Sequence, residues 1–177
     1  MTCIIALEHK GKVYIGGDSA AVSGYDIQVL TNPKVFKIRD FLIGYTTSFR
    51  MGQLLQYNLE VPENLCGDDD MRYLVTNFIP AVRDCMKNGG YIKIEKNQES
   101  GGYFLVGYHG KAYKVSDDFQ ITRTTNKFNA VGCGESYALG ALAALNITNP
   151  EKAIIRALEI AGMFSNGVCP PYYVISI

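Results

Sequence analysis

The chain has no tryptophan, only two histidines, and no Cys-x-x-Cys pair among its five cysteines. With His9 and His109 alone, neither a histidine-based triad nor a zinc site is expected, and no cofactor is implied. An odd number of unpaired cysteines reads as reduced thiols of a cytoplasmic protein rather than a disulfide framework. Charge is also sparse: 19% of residues are ionic, and 17 basic residues balance 17 acidic ones. That balance creates no field for nucleic acid or an anionic membrane. No apolar run approaches the roughly 18 residues of a membrane-spanning helix, and no secretory leader is expected ahead of Thr2. A Gly-x-x-x-x-Gly-Lys phosphate loop is missing too, so any ATP-driven step would belong to a separate chain. Without repeats, linkers or low-complexity stretches, the 177 residues, 47% hydrophobic, fit one domain spanning 1–177 with a substantial core.

What is present begins at the terminus. The chain opens Met1-Thr2-Cys3, and initiator methionine is commonly trimmed before a small residue, which would leave Thr2 first. A terminal threonine carries a hydroxyl nucleophile and an α-amine of unperturbed pKa about 7.7–8.0, a general base suited to neutral pH. The run from Thr2 to Leu7 has no charge and no turn residue, so it reads as a buried strand holding the terminus still. Gly11 marks a tight turn, and Lys12 to Gly17 is the returning strand. Antiparallel pairing then brings Asp18, at the end of the second strand, back toward Thr2. Gly17-Asp18-Ser19 is equally ordinary turn chemistry. Cys3 is the rival nucleophile, but it has no adjacent free amine and, by strand alternation, faces the other side of the sheet.

Asn32-Pro33-Lys34 leads into a third strand, Val35 to Ile38, and Phe41 to Thr46 is its partner. Lys34 enters on the side where the first hairpin ends. An ammonium there would lower the pKa of both the terminal hydroxyl and the amine by like-charge repulsion; the competing reading is a solvated strand lysine.

Thr2, Gly17-Asp18, Lys34 and Ile43-Gly44 together resemble the N-terminal nucleophile hydrolases of the proteasome β-subunit and HslV type. The resemblance implies Thr2 as nucleophile, Lys34 as its pKa-lowering partner, Asp18 fixing the lysine, and the Gly44 N–H as oxyanion donor. Downstream, Ala130 to Gly134 is similar to the Gly-Ser-Gly strand end of that family, with Cys133 in the serine's place. Ser165-Asn166-Gly167 is similar to its Ser-Gly-Gly loop. An aspartate stands in proteasome subunits three residues before that serine; here the position is Gly162. By family position, Ala21, Phe36 and Leu42 would wall an apolar specificity pocket, although Phe36 and Leu42 also read as plain core residues.

The remaining pattern is compatible with an α+β, four-layer αββα sandwich. Ser48 reads as an N-cap, followed by Met51, Leu54, Leu55 and Leu59 at helical spacing. The triplet Asp68-Asp69-Asp70 suits the positive end of a second helix running to Asn88, which Pro80 should kink or break. Strands are expected over 102–108, 111–115, 120–123 and 129–132, helices over 135–145 and 150–163, and a last strand over 172–177. The leading functional expectation is a threonine peptidase, working as a homo-oligomeric ring on peptides or unfolded proteins. A separate ATP-dependent unfoldase is an implied partner. A silent proteasome-like scaffold and a small-molecule amidase are the alternatives. Tyr57, Tyr73 and Tyr137 are candidate anchors between subunits.

Overall fold

The computed structural model of the chain describes every residue except Asp68. Two antiparallel sheets stack face to face, each covered on its outer side by helices. The first sheet has the order β12-β1-β2-β13, formed by Phe128–Gly132, Cys3–His9, Lys12–Gly17 and Tyr173–Ser176. The second has the order β11-β10-β9-β6-β5, formed by Ile121–Thr122, Lys111–Val115, Phe104–Tyr108, Phe41–Tyr45 and Val35–Ile38. Helices α4 (Glu135–Ala144) and α5 (Pro150–Phe164) cover the first sheet, while α1 (Phe49–Tyr57) and a run from α2 (Asp70–Tyr73) to α3 (Ile79–Asn88) cover the second. The architecture is a four-layer αββα sandwich.

Strand alternation builds the three apolar layers. Along β1, Cys3, Ile5 and Leu7 pack under α4 and α5, while Ile4 and Ala6 point between the sheets. Along β6, Phe41, Ile43 and Tyr45 meet α1 and α3, while Leu42 joins the inter-sheet layer. Leu55 and Leu59 pack into this outer layer, and Leu54 lies against Gly89. The apolar stripe of α1 therefore meets its own chain. Tyr73 is 1% exposed within the same layer, so it is a core residue and not a subunit anchor; Tyr57 and Tyr137 are exposed.

Pro80 neither breaks nor ends its helix. Leu74–Phe78 forms one π-helical turn, and α3 begins directly after it with Pro80 in its first turn. The wider turn places the missing proline N–H where the ladder is already changing register. Asp69 is the N-cap, accepting from the Arg72 N–H at 3.0 Å. Asp70 is instead turned to Lys111 and His109, and Asp68 of the expected triplet lies outside the described residues. Two hairpins had no expected counterpart: β3–β4 (Ala20–Ser23, Asp26–Val29) and β7–β8 (Lys93–Glu95, Gln98–Ser100). Both are mostly solvent-exposed, so they carry little of the apolar alternation that marks a strand.

Candidate active site

Register on both sides of β1 gathers the site. Pairing of Ile4 with Gly17 sets Asp18 beside Cys3. The Asp18 carboxylate accepts the Cys3 N–H at 2.8 Å through Oδ1 and the Ala20 N–H at 2.8 Å through Oδ2. Gly17 leaves room for the layer between the sheets, where a Cβ on it would lie 2.6 Å from Ile4 and 3.2 Å from Val35. Lys34 immediately precedes β5, and its Nζ lies 2.7 Å from Thr2 Oγ1 and 2.9 Å from Asp18 Oδ2. A third donation goes to the Ala20 carbonyl, so three acceptors meet the three ammonium protons. Thr2, Asp18 and Lys34 are 4%, 0% and 1% exposed. Water is thus excluded from a charged pair that touches one hydroxyl.

The other flank comes from β12 and α5. Pairing of Cys3 with Gly132 lays the Gly132–Gly134 turn along Thr2. Gly132 has φ +103°, and a Cβ on it would sit 2.2 Å from the Thr2 carbonyl oxygen, so only glycine fits. The Thr2 N–H donates to Cys133 Sγ at 3.2 Å, the Cys133 thiol approaches the Thr2 carbonyl at 3.3 Å, and the Ser165 hydroxyl donates to the same sulfur at 3.3 Å. Ser165 is positioned as the residue that ends α5. The structure brings Thr2, Asp18, Lys34, Cys133 and Ser165 into one cluster. In this chain the Thr2 nitrogen is an amide bonded to Met1, and the Thr2 hydroxyl donates to the Met1 carbonyl. At Gly162 an added Cβ would lie 3.0 Å from the Val168 carbonyl and 3.1 Å from the Tyr172 hydroxyl. A side chain there would need those neighbours to give by a few tenths of an ångström. Burial, reinforced by the charge of Asp18, pushes the Cys3 thiol far above its ordinary range; it is an inert core group.

Four expected positions do not join the cluster. Gly44 sits in the interior of its sheet, opposite Val35 and Leu105, where backbone N–H groups are directed at neighbouring strands. A Cβ on it would strike Ile4 at 2.5 Å and Ile15 at 2.8 Å, which makes it a packing glycine between the sheets. Leu42 is fully buried in that same layer, and Phe36 packs beneath α1; neither walls a substrate pocket. Ala21, on β3, is half-exposed.

The residues that do face Thr2 follow β6 instead. Tyr45, Thr46, Thr47, Ser48 and Phe49 line a cleft of about 30 Å³ together with Met1 and Thr2. Thr47 turns through φ +66°, and among the described bonds its N–H has no acceptor. Ser48 caps α1 by accepting the Arg50 N–H at 3.1 Å, and the Phe49 ring centroid lies 5.9 Å from Lys34 Nζ. The sequence marks Ser48 as a cap, and the structure shows where the helix it opens is aimed. A helix that starts where β6 ends must direct its free N–H groups toward the end of that strand.

The sequence matches no protein-family model and no curated protein. Solved structures do match, over nearly the whole chain. A structure of Thiobacillus denitrificans BPH in complex with epoxomicin superposes with a TM-score of 0.80 at 19% identity, over 99% of this chain and 98% of that one. The chain has the fold of the proteasome-type N-terminal nucleophile hydrolases. Eukaryotic HslV from Trypanosoma brucei gives a TM-score of 0.70 at 15% identity, covering 99% and 98% of the two chains. Anbu, an ancestral β-subunit, from Yersinia bercovieri gives 0.68 at 13% identity, covering 99% and 81%. In this chain the β1 terminus, the end of β2 and the start of β5 converge on Thr2. Among the described residues no helix is long and apolar enough to cross a membrane.

Proposed function

We propose that the chain is an amide hydrolase whose nucleophile is Thr2 Oγ1 once Met1 has been removed, with peptides or unfolded proteins as substrates. The contact of Lys34 Nζ with Thr2 Oγ1 at 2.7 Å, braced by Asp18, carries this reading. A buried ammonium beside the hydroxyl stabilises developing negative charge on the oxygen far better than it would in water. The freed Thr2 amine, already within 3.2 Å of Cys133 Sγ through its nitrogen, accepts the hydroxyl proton as Oγ1 attacks the carbonyl. It returns that proton to the leaving amine, and water then hydrolyses the ester formed on Thr2. The Thr47 N–H and the first turn of α1 supply the oxyanion donors in place of Gly44. Cys133 and Ser165 orient the amine.

The test is covalent labelling with epoxomicin, the ligand found with the Thiobacillus protein, on material whose free Thr2 terminus is verified by mass. Thr2→Ala should abolish both labelling and amide hydrolysis while leaving the fold intact; undiminished hydrolysis by that variant would remove Thr2 from the chemistry. Assembly into a homo-oligomeric ring, with a separate ATP-dependent unfoldase, belongs to the same reading. A stable, active species sedimenting at the monomer mass of 19.5 kDa would refute the ring. The missing side chain at Gly162, where the resemblance implies an aspartate, favours one second reading, a silent scaffold of the same fold, for which a free Thr2 terminus would remain unlabelled.

A further inference from the structure

The end of the sandwich remote from Thr2 carries its own cleft, of about 400 Å³. Two hairpin turns form it, one from each sheet, and they repeat a pattern: His9-Lys10-Gly11-Lys12 joins β1 to β2, and Tyr108-His109-Gly110-Lys111 joins β9 to β10. Each places two successive residues at positive φ, Lys10 and Gly11 at 49° and 76°, His109 and Gly110 at 47° and 72°. Those are the angles of a type I′ turn, which needs glycine at its second position. The turns touch backbone to backbone, since a Cβ on Gly110 would lie 2.3 Å from the Gly11 carbonyl oxygen.

Charge is concentrated around this contact. The whole chain is formally neutral, yet Lys10, Lys111, Arg123 and Lys127 line the cleft against Glu8 as its only acid among the described residues. Glu8 is already saturated, accepting from Arg123 at 2.8 and 2.6 Å and from the Ala112 N–H at 2.9 Å. Behind the cleft, Asp70 takes Lys111 at 2.6 Å and His109 Nδ1 at 2.8 Å. Lys10 and Lys127 have no ion-pair partner among the described residues. The cleft therefore presents uncompensated positive charge in a concave, preformed setting. Two imidazoles, His9 and His109, also line it, and the His109 ring is stacked on Tyr108 at 3.9 Å.

We propose that this cleft binds a small oxyanion carrying two or more negative charges, a phosphate or a polycarboxylate. Lys10 and Lys127 supply the free charge, and Arg123 is held in place from behind by Glu8. The site is independent of the Thr2 chemistry, so its test does not rest on hydrolysis. Calorimetric titration of the intact protein with pyrophosphate and, separately, citrate at low salt should show saturable binding of at least one of them. The stronger of the two identifies the oxyanion class. Lys10→Gln/Lys127→Gln should weaken that binding about tenfold, roughly threefold for each exposed cation removed, and added salt should weaken it further. Lys93→Gln/Lys96→Gln, on the exposed β7–β8 hairpin, should leave it unchanged. No saturable heat with either anion, or equal weakening by both double variants, would overturn the proposal.

Discussion

Replacing Lys34 by methionine separates what the buried lysine does for stability from what it does for chemistry. Methionine keeps most of the side-chain volume, so the change removes charge and three hydrogen bonds without opening a large cavity. Asp18 retains the Cys3 and Ala20 N–H groups at 2.8 Å each, but its charge is left without a counterion at 0% exposure. Breaking a buried pair in this way costs about 3–5 kcal/mol. For a chain of this size that corresponds to a drop of roughly 6–20 °C in Tm at fixed protein concentration. Removing Asp18 as well takes away the stranded charge, so Asp18→Asn/Lys34→Met should regain most of the lost stability. Neither variant should regain activity, since Thr2 Oγ1 loses the ammonium 2.7 Å away, with a rate loss of about 10²–10⁴-fold. The assay pairs thermal unfolding with the rate of epoxomicin labelling, all on chains with a verified Thr2 terminus. Labelling by folded Lys34→Met within about tenfold of wild type would refute the role of the ammonium. A double variant no more stable than the single one would refute the stranded-charge argument.

Gly132→Ala should lower Tm by several degrees and slow labelling, because left-handed strain costs about 1–3 kcal/mol and the new Cβ meets the Thr2 carbonyl at 2.2 Å; an unchanged melting curve would contradict the close approach. Cys133→Ser should keep labelling and Cys133→Ala slow it, since a hydroxyl can still accept the Thr2 nitrogen's proton whereas a methyl cannot. Mass mapping after brief iodoacetamide treatment should find Cys133, which is exposed, modified and Cys3 intact. Burial alone would push the Asp70 carboxyl up, but hydrogen bonds from Lys111 and His109 outweigh it and hold it below the ordinary range. A lowered folded value means the stabilisation is fully present above the ordinary carboxylate pKa and fades as pH falls through the lower one. Asp70→Asn should therefore be less stable than wild type at neutral pH, and the gap should narrow on acidification below about pH 4; a constant gap would contradict the pairing.

Local chemistry made the layers legible before any contact was known. The alternation of Cys3, Ile5 and Leu7 against Ile4 and Ala6 encodes a strand buried on both faces, and glycines bounding it mark the hairpin that returns Asp18 to the terminus. The Ser48 cap and the Met51-Leu54-Leu55 stripe mark α1, and the ranges 135–145 and 150–163 lie within one residue of α4 and α5. The strands of the exposed hairpins β3–β4 and β7–β8 bury little and so carry no periodic signal in the sequence. What only the tertiary structure decided is which member of a strand faces the site. Gly44, Leu42 and Phe36 lie near Thr2 in sequence-derived topology, yet inter-strand register turns Gly44 and Leu42 between the sheets and Phe36 under α1. A shift of one residue would reverse every one of those faces, and register is set by the packing of both sheets together, not by any one strand. The convergence of Cys133 and Ser165 on Thr2, across 131 and 163 residues of chain, depends on the same global register of β12 against β1 and on the point where α5 ends.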